Sequence, residues 1–257
     1  MVKIRIKWGL LFLLVISILA FFYYRRKPSN VMVHPSRGSI VEAVYGLGTV
    51  TSNQIYQLKL GVTATISKVY VKEGDNIPAQ TPLLLLTDGR TFSSPFSGTV
   101  TEVPFHDGES VFSNTSLITM MNLHDRYVLV SLEQQSAVKV KQGQKVRLSF
   151  ENLRQEKISG TVKSVFPNNG EFWIRIETEA LPDEVLPGMT ADVAIEIAAK
   201  ENALLIPVAA VKQGKVNVVR HGKKVALDAK IGLVDGVMAE TLSDDLKIED
   251  TLVVPDL

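Results

Sequence analysis

An internal repeat at an offset of 34 residues constrains the fold of this chain more than any other feature of its sequence. The first copy starts at Thr65 and reads TISKVYVKEGDNIPAQTPLLLL; the second starts at Thr99 and reads TVTEVPFHDGESVFSNTSLITM. Neither copy can bury its apolar face alone, so the repeat predicts two halves that close into one small β-sandwich around a pseudo-two-fold axis. The matched apolar and glycine positions are Ile66/Val100, Val69/Val103, Val71/Phe105, Gly74/Gly108, Ile77/Val111 and Leu83/Leu117.

Turn signals divide this repeat. Each copy has two strands around a glycine turn, Glu73-Gly74-Asp75 in the first and Asp107-Gly108-Glu109 in the second. The halves are joined by Thr87-Asp88-Gly89-Arg90. Asp-Gly is a strong signal for a two-residue hairpin, because both residues tolerate positive φ. We therefore expect a tight turn between the halves and no long excursion.

The rest of the chain beyond residue 30 is also rich in short β-branched runs that are broken by Gly, Pro, Asn and Asp. Strands of this length with frequent turns are typical of sandwiches and barrels, so the sequence predicts a mainly β fold. One short helix of about two turns is expected over residues 133–139. The predicted strands include residues 31–33, 39–44, 66–71, 145–150, 160–165, 172–178, 191–197 and 216–219.

Residues 8–24 form an apolar run without a charge. At about 1.5 Å per residue this run spans roughly 25 Å as a helix, at the short end for a bilayer crossing. A cleaved signal peptide is the alternative, but Ile18 and Phe21 fit poorly around a cleavage site after Ala20. We expect an uncleaved anchor followed by a stop, with three basic residues on each side: Lys3, Arg5 and Lys7, then Arg25, Arg26 and Lys27.

Composition excludes several classes of function. The net charge is +1, with 28 basic and 27 acidic residues, which gives no field for nucleic acid. The chain has no cysteine, so it has no disulfide, no thiolate metal site and no lipidated cysteine.

Candidate catalytic groups are scattered, and we predict no catalytic, cofactor-binding or metal site. None of the four histidines lies in a metal or nucleophile motif. Met120 and Met121 could handle a soft metal, but packing is the simpler role for adjacent strand residues. Carboxylates beside the glycine turns are expected to be solvated, with Asp also bonding the backbone. The histidines are His34, His106, His124 and His221, and the acidic pairs are Glu73/Asp75, Asp107/Glu109, Asp244/Asp245 and Glu249/Asp250.

Phe92, Phe96 and Phe105 lie in or near the predicted sandwich. Two interpretations are open: they form an adhesive surface at the tip of the sandwich, or they belong to its core.

Two quasi-identical β halves with a connecting turn resemble the biotinyl/lipoyl domain. In carriers of that family the turn presents a lysine that receives the cofactor. Here the turn is Asp88-Gly89 and its nearest cation is Arg90. A guanidinium is a poor nucleophile, so no amide to biotin or lipoate is expected at this turn.

Three further segments, taken in order, resemble the periplasmic adaptors, also called membrane fusion proteins. VKQGQKV from Val140 resembles an early strand of their β-barrel, LPGMTADV from Leu186 resembles the signature that ends the barrel, and LIPVAAV from Leu205 resembles the strand that opens the membrane-proximal domain. The chain departs from that family in having no α-helical hairpin between the lipoyl halves. It also has Asp245-Leu246 and Glu249-Asp250 where the family often shows Gly-Leu and Gly-Asp.

The resemblance implies an elongated, mainly β protein with a lipoyl-like barrel-sandwich hybrid, a β-barrel and a membrane-proximal β-domain after an N-terminal transmembrane helix. The predicted parts are an anchor (1–27), the first part of the membrane-proximal domain (28–53), the lipoyl-like domain (54–124), the β-barrel (125–199) and the second part of the membrane-proximal domain (200–257). Mechanical coupling is expected at hinges near residues 53, 125 and 199.

The resemblance also implies a function: a non-catalytic adaptor of an export pump, most simply a resistance-nodulation-division pump, with an ABC exporter as the other choice. Expected partners are the inner-membrane transporter, further copies of the chain, the membrane itself and an outer-membrane channel that is not met through a helical hairpin. No cofactor and no nucleic acid are expected. The main body would be periplasmic or extracytoplasmic, held by a single pass of the inner membrane. The alternatives are a biotin or lipoyl carrier subunit and a pump-independent, membrane-anchored binding module.

Overall fold

The computed structural model describes residues 30–153 and 158–255. The predicted anchor, residues 1–27, lies outside this part of the chain. In the part that is described, no helix is both long enough and apolar enough to cross a membrane. The described chain is mainly β, as the sequence predicted.

The strands of the described chain are short, apart from three long ones. The only α-helix there, α1 (Gln134–Ala137), has a single turn instead of the predicted two, and 3₁₀ turns lie at Glu151–Leu153 and Val208–Ala210. The strands are β1 (Asn30–Val33), β2 (Ser36–Ser52), β3 (Ile55–Lys59), β4 (Ala64–Val69), β5 (Asn76–Ile77), β6 (Pro82–Leu86), β7 (Thr91–Ser93), β8 (Gly98–Glu102), β9 (Ser110–Val111), β10 (Ser116–Met121), β11 (Arg126–Leu132), β12 (Lys145–Ser149), β13 (Ile158–Asn168), β14 (Glu171–Thr178), β15 (Thr190–Pro207), β16 (Val211–Lys212), β17 (Lys215–Arg220), β18 (Lys223–Asp228), β19 (Ile231–Val234), β20 (Met238–Thr241) and β21 (Thr251–Pro255).

The chain divides into two compact units. Among the described residues, one is Ala43–Ile197; the other joins residues 30–42 to residues 198–255. The five predicted domain bounds remain a prediction.

Within Ala43–Ile197, the repeat forms a sandwich of two four-stranded sheets, ordered β3-β10-β8-β5 and β7-β6-β4-β9. Apolar residues from both copies of the repeat meet in one core, as the offset of 34 residues predicted. Its buried members are Leu58, Leu60, Ile66, Val71, Ile77, Leu83, Leu84, Leu86, Val100, Val111, Leu117, Ile118 and Met120.

Backbone geometry repeats with the sequence. Gln80 and Asn114, which are 34 positions apart, both adopt positive φ, at 66° and 63°. The Gln80 N–H donates to the Ser94 carbonyl at 2.7 Å, and the Asn114 N–H donates to the Leu60 carbonyl at 2.6 Å. The two halves therefore use the same turns and the same hydrogen bonds, in reciprocal places.

The turn between the halves differs in detail from the predicted one. Only Gly89 has positive φ, at 87°. The Gly89 N–H donates to the Leu86 carbonyl at 3.0 Å, and the Leu86 N–H donates to the Arg90 carbonyl at 2.9 Å. This pattern is a three-residue loop with a glycine bulge, whereas the Asp-Gly pair had indicated a two-residue hairpin turn. The halves are nonetheless joined by a short turn.

The second body in Ala43–Ile197 is a six-stranded barrel in the order β12-β13-β14-β11-β2-β15, closed because β12 also pairs with β15. Its interior is filled by apolar side chains from all six strands. At Gly48 of β2 an added Cβ would lie 2.5 Å from Val128 Cγ1 and 2.8 Å from Val193 Cγ2. Only glycine therefore fits there, between opposing strands of a filled barrel. The buried interior includes Val50, Val128, Val130, Val146, Leu148, Val162, Ile174, Ile176, Val193 and Ile195.

In the unit that contains residues 198–255, β1 pairs with β21, β21 with β17, and β17 with both β16 and β18. The strand β20 pairs with β19 and with residues 205–207 of β15. A separate core supports these strands, made of Ile206, Ala210, Val216, Val218, Ala239, Leu246, Leu252 and Val254.

Candidate functional site

At one end of the sandwich, the chain enters from the barrel and returns to it. Hydrogen bonds join these two connecting segments. The Asn53 N–H donates to the Asp125 carbonyl at 2.9 Å, and Asn53 Nδ2 donates to Asp125 Oδ1 at 2.5 Å. The buried Ser52 hydroxyl donates to the Asn122 carbonyl at 2.7 Å. We call the group Ser52, Asn53, Asn122 and Asp125 the clasp.

A cation from the barrel reaches the clasp. Arg175 Nη2 of β14 donates to Asn53 Oδ1 at 2.6 Å, and the guanidinium lies 4.1 Å from the centre of the Tyr127 ring. A guanidinium over an aromatic face is held by the ring quadrupole. The predicted hinges near residues 53 and 125 therefore fall within the clasp, where the two connecting segments are hydrogen-bonded to each other.

The opposite end of the sandwich is free of the barrel strands and is built from three loops. The Thr87 N–H donates to the Thr65 carbonyl at 3.0 Å, which holds the turn 87–90 beside the start of β4. The pairing of Ala64 with Val111 brings the loop 112–115 to the same place. We call the loops 60–63, 87–90 and 112–115 the tip.

The tip exposes two apolar side chains that the sequence analysis did not single out. Phe112 is 76% exposed and Val62 is 54% exposed. The predicted aromatic residues Phe92, Phe96 and Phe105 pack against the sandwich core instead, so the core interpretation is confirmed for them. The repeat itself carried a signal for Phe112: its counterpart 34 positions earlier is Pro78, and this pair is not among the matched apolar positions of the two copies.

The turn 87–90 at the tip contains an ion pair between its own two charged residues. Arg90 Nη2 lies 2.7 Å from Asp88 Oδ2, and the Arg90 backbone N–H donates to Asp88 Oδ1 at 3.0 Å. The hydrogen bond from the Arg90 side chain holds the pKa of the Asp88 carboxyl below its ordinary value. The sequence has no lysine between Lys72 and Lys139, so no amine is available anywhere in the second half of the repeat.

Two of the candidate acidic residues bond backbone groups of the opposite half of the sandwich. Glu73 Oε1 accepts the Val103 N–H at 3.0 Å, and Asp107 Oδ1 accepts the Val69 N–H at 2.6 Å. Asp75 instead closes its own turn by accepting the Lys72 N–H at 2.9 Å. These contacts give the turn carboxylates a structural role.

The other acidic pairs lie near the C-terminus. Both oxygens of the buried Asp250 carboxylate accept hydrogen bonds from Arg220, at 2.6 Å each. The Lys247 N–H also donates to Asp250 Oδ2, at 2.8 Å. Asp250 thus orders the turn where the sequence departs from the adaptor pattern, and the neighbouring Leu246 is buried in the core.

Two of the histidines lie beside single acceptors. His34 Nδ1 lies 3.0 Å from the Asp250 carbonyl, and His106 Nδ1 lies 3.7 Å from Glu109 Oε1. Over residues 30–153 and 158–255, no group of three or more His, Asp or Glu side chains is arranged to hold a metal ion. Met120 is buried in the sandwich core, which agrees with a packing role.

The segment that resembles the end of the adaptor barrel is fixed by hydrogen bonds. The Gly188 N–H donates to the Val50 carbonyl at 2.9 Å, and the Val50 N–H donates to the Met189 carbonyl at 2.8 Å. Gly188 has a φ of 95°, which glycine adopts without strain. Arg126 donates to three carbonyls of the same segment: Leu181 at 2.9 Å, Pro182 at 3.1 Å, and Val185.

Comparison with solved structures defines the class of fold. The fold matches the crystal structure of MacA from Actinobacillus actinomycetemcomitans with a TM-score of 0.76 and 19% identity, over 87% of this chain and 99% of that chain. It also matches the membrane fusion protein Spr0693 from Streptococcus pneumoniae R6 with a TM-score of 0.50 and 13% identity, over 60% of this chain and 98% of that chain. The fold is therefore that of the membrane fusion proteins, or periplasmic adaptors.

A sequence relationship supports the same class. The chain is 24% identical over 181 residues to the macrolide export protein MacA of Yersinia pestis, covering 65% of this chain and 49% of that protein. The chain thus spans about half the length of this curated relative. No family model matches the chain. The predicted resemblance to the periplasmic adaptor family is confirmed, and residues 30–153 and 158–255 contain no helical hairpin.

Proposed function

We propose that this protein is the adaptor subunit of an export pump, anchored in the inner membrane with its main body outside the cytoplasm. The observation that carries the proposal is the shared fold over most of the chain, together with the sequence relationship to a macrolide export protein. The adaptor is non-catalytic: it docks on an inner-membrane transporter and helps to form the conduit. Export of macrolide-like compounds is the substrate class that the relative suggests.

The proposal extends to the class of the pump. A resistance-nodulation-division pump is the first candidate and an ABC exporter is the second. Several copies of the chain would assemble around the transporter.

A carrier function is disfavoured by the tip. The turn there holds an Asp88–Arg90 ion pair, and the flanking sequence offers no lysine between Lys72 and Lys139. Without an amine at this turn, neither biotin nor lipoate has a site of attachment. A pump-independent binding module is the remaining alternative.

The tip is where this adaptor would meet a partner without a helical hairpin. Phe112 and Val62 expose apolar surface next to a turn that has no insertion. Exposed apolar residues rimmed by polar ones are typical of interaction sites. We therefore assign the tip to contacts farther along the conduit, and the barrel and the C-terminal unit to contacts with the transporter.

The test is site-specific photo-cross-linking of the full-length chain in intact cells, followed by detergent extraction and mass spectrometry. A photoreactive residue replaces Leu47 on the barrel or Val237 in the C-terminal unit, which are 62% and 73% exposed. Replacement of Phe112 probes the tip, and replacement of Ser67, an exposed residue of β4 in the sandwich, serves as the matched control.

Capture of a large polytopic transporter from Leu47 or Val237, and not from Ser67, is the expected result, and the sequence of the captured transporter gives the pump class. Recovery of soluble enzymes, or of no transporter from any position, overturns the adaptor function. Deletion of the gene separates the alternatives further, because a pump-independent module predicts unchanged sensitivity to exported compounds.

A further inference from the structure

The strand β1 begins close in sequence to the apolar run 8–24, which the proposed function places in the membrane. Asn30 follows Tyr24, the last residue of that run, by six positions. At no more than about 3.6 Å per residue, these positions span at most about 22 Å. The start of β1 is therefore tethered near the membrane surface, and this inference rests on that anchor. Three residues of the tether are basic: Arg25, Arg26 and Lys27.

The strand pairings show which end of the sheet lies beside Asn30. Asn30 pairs with Pro255, the last residue of β21, whereas the first residue of β21 pairs with Val219 of β17. Because both pairings are antiparallel, β17 begins with Lys215 at the Asn30 end of the sheet and finishes at the opposite end.

Three lysines surround the turn 213–214, which joins β16 to β17 at this end of the sheet. Lys212 and Lys215 flank the turn and lie directly opposite each other. The Ala229 N–H donates to the carbonyl of the second turn residue at 2.8 Å, so the next residue, Lys230, lies beside the same turn. All three lysines are exposed. We call Lys212, Lys215 and Lys230 the lysine cluster.

Contacts within the chain leave most of the charge of the lysine cluster uncompensated. Like charges directly opposite each other in an antiparallel pair are destabilising, and Lys212 and Lys215 are such a pair. Lys215 lies 4.0 Å from the carboxylate of Asp228, whose side chain is 85% exposed. Lys212 and Lys230 form no ion pair with any described residue. An anionic partner would therefore relieve a repulsion that the folded chain retains.

The strand β1 also exposes an apolar side chain. Met32, two residues after Asn30, is 65% exposed. Its neighbour Val33 packs against the core, and neighbouring residues of a strand point to opposite faces, so Met32 points away from the core. Segments that bind anionic membranes combine apolar contacts of this kind with basic side chains. The combination favours a lipid surface over an acidic protein surface.

We propose that the lysine cluster docks on the headgroups of anionic phospholipids, within the distance that the tether allows. A lysine carries its charge at the end of a flexible four-carbon stem and can donate to lipid phosphates. Basic side chains are attracted to an anionic membrane surface over about a Debye length, which is about 8 Å at physiological ionic strength. Docking would orient the unit that contains β1 and β17 on the membrane, which a short tether alone does not do.

The test measures headgroup proximity on the full-length chain in nanodiscs that contain no transporter. The chain has no cysteine, so Gln213→Cys takes a single nitroxide label. His221→Cys is the matched control: each residue is the first of a two-residue turn, each has a φ of 50°, and the turns lie at opposite ends of β17. Power saturation of the nitroxide by a nickel-chelating lipid reports how close each label lies to the headgroups. The nanodiscs contain phosphatidylcholine with or without phosphatidylglycerol.

We expect phosphatidylglycerol to increase nickel accessibility at Gln213→Cys at least about twofold, since the attraction needs anionic lipid. His221→Cys should stay inaccessible in both lipids, because β17 separates the two turns by about 17 Å. Equal accessibility of Gln213→Cys in both lipids overturns the headgroup docking and leaves an acidic protein surface as the partner. A chain that does not remain with the nanodiscs would instead contradict the anchor of the proposed function, and this inference would fall with it.

Charge removal in the Gln213→Cys background then tests the lysine cluster itself. Lys212→Gln combined with Lys230→Gln should abolish the increase in accessibility that phosphatidylglycerol causes. Lys223→Gln combined with Lys224→Gln removes the same charge from exposed residues at the opposite end of β17 and should preserve the increase. An increase that survives the first pair of substitutions, or that both pairs abolish equally, contradicts docking through the lysine cluster.

Discussion

Glu73 and Asp107 are 34 positions apart in the chain and perform the same structural task in opposite directions. Each carboxylate accepts a backbone N–H from the other half of the sandwich, Glu73 from Val103 at 3.0 Å and Asp107 from Val69 at 2.6 Å. The two halves of the repeat thus stabilise each other, because a carboxylate of each half accepts a backbone hydrogen bond from the other.

Removal of one of these carboxylates should destabilise the sandwich. Asp107→Ala leaves the Val69 N–H without its acceptor, and we expect a loss of about 1 kcal/mol in the free energy of unfolding, measured by urea denaturation. Asp244→Ala is the control, because Asp244 is exposed and makes no side-chain hydrogen bond among the described residues. Equal effects of the two substitutions would contradict the exchange of hydrogen bonds.

Gly48 should tolerate no side chain. An added Cβ would lie 2.5 Å from Val128 Cγ1, inside a filled barrel, so Gly48→Ala is expected to cost about 1–3 kcal/mol through overpacking. Gly61→Ala is the matched control, because no atom lies within 4 Å of its added Cβ and its φ is not positive. Urea denaturation should therefore separate the two alanine variants. If Gly48→Ala unfolds at the parental midpoint, the barrel interior is less tightly packed than described.

Arg126 should hold the segment 181–189 against the barrel. Arg126→Met keeps the length of the side chain but removes its hydrogen bonds to the Leu181, Pro182 and Val185 carbonyls. The Pro182 carbonyl keeps the Val185 N–H as a donor, and we expect a loss of about 1–3 kcal/mol from the other two. Hydrogen exchange should also become faster at the Gly188 N–H. Arg147→Met removes only an exposed ion pair with Glu196 at 3.4 Å, which is worth little. Unchanged exchange at Gly188 in the Arg126 variant would rule out the proposed restraint.

Asp250 should make stability depend on pH at the acidic end. Hydrogen bonds from Arg220 hold the pKa of the Asp250 carboxyl below its ordinary value, and burial opposes this effect. The proton therefore binds more tightly in the unfolded state. The stabilisation is present above the unfolded pKa of about 4, and it is lost as the pH falls through the folded pKa.

The measurement is the urea midpoint between pH 7 and pH 3. The parental midpoint should fall on acidification, and Asp250→Asn should lower it at pH 7 and flatten the decline. Glu249→Gln, an exposed neighbour, should follow the parental curve. A parental decline in the Asp250→Asn chain would assign the acid sensitivity to other groups.

The tip should matter for function and not for folding. Phe112 is 76% exposed, so Phe112→Ser is expected to change the free energy of unfolding by less than about 0.5 kcal/mol. If the tip meets a partner, the same variant should lose export activity in a deletion strain. Thr63→Ser changes a neighbouring exposed residue conservatively and should retain activity. Full export activity of the Phe112→Ser variant would contradict the proposed role of the tip in the conduit.

The sequence by itself determined the sandwich, because an offset of 34 residues places equivalent apolar residues on equivalent strands and leaves each half unable to fold alone. It also predicts that no biotin or lipoate is attached at the turn between the halves, since that chemistry needs an amine and the turn offers only Arg90. The resemblance to adaptors likewise rested on segments whose order is visible in the sequence.

The tertiary structure alone decided which exposed groups are available for contacts. Phe96 and Phe112 are the same type of residue, so hydrophobicity does not distinguish them. Phe96 nevertheless packs on the core, whereas Phe112 faces solvent. The outermost position of β18 in its sheet could not be predicted either, because edge position depends on which strands pair, and pairing is a long-range property of the whole sheet. Periodicity specifies which face of a strand is buried, whereas only the assembled sheet specifies what lies beside it.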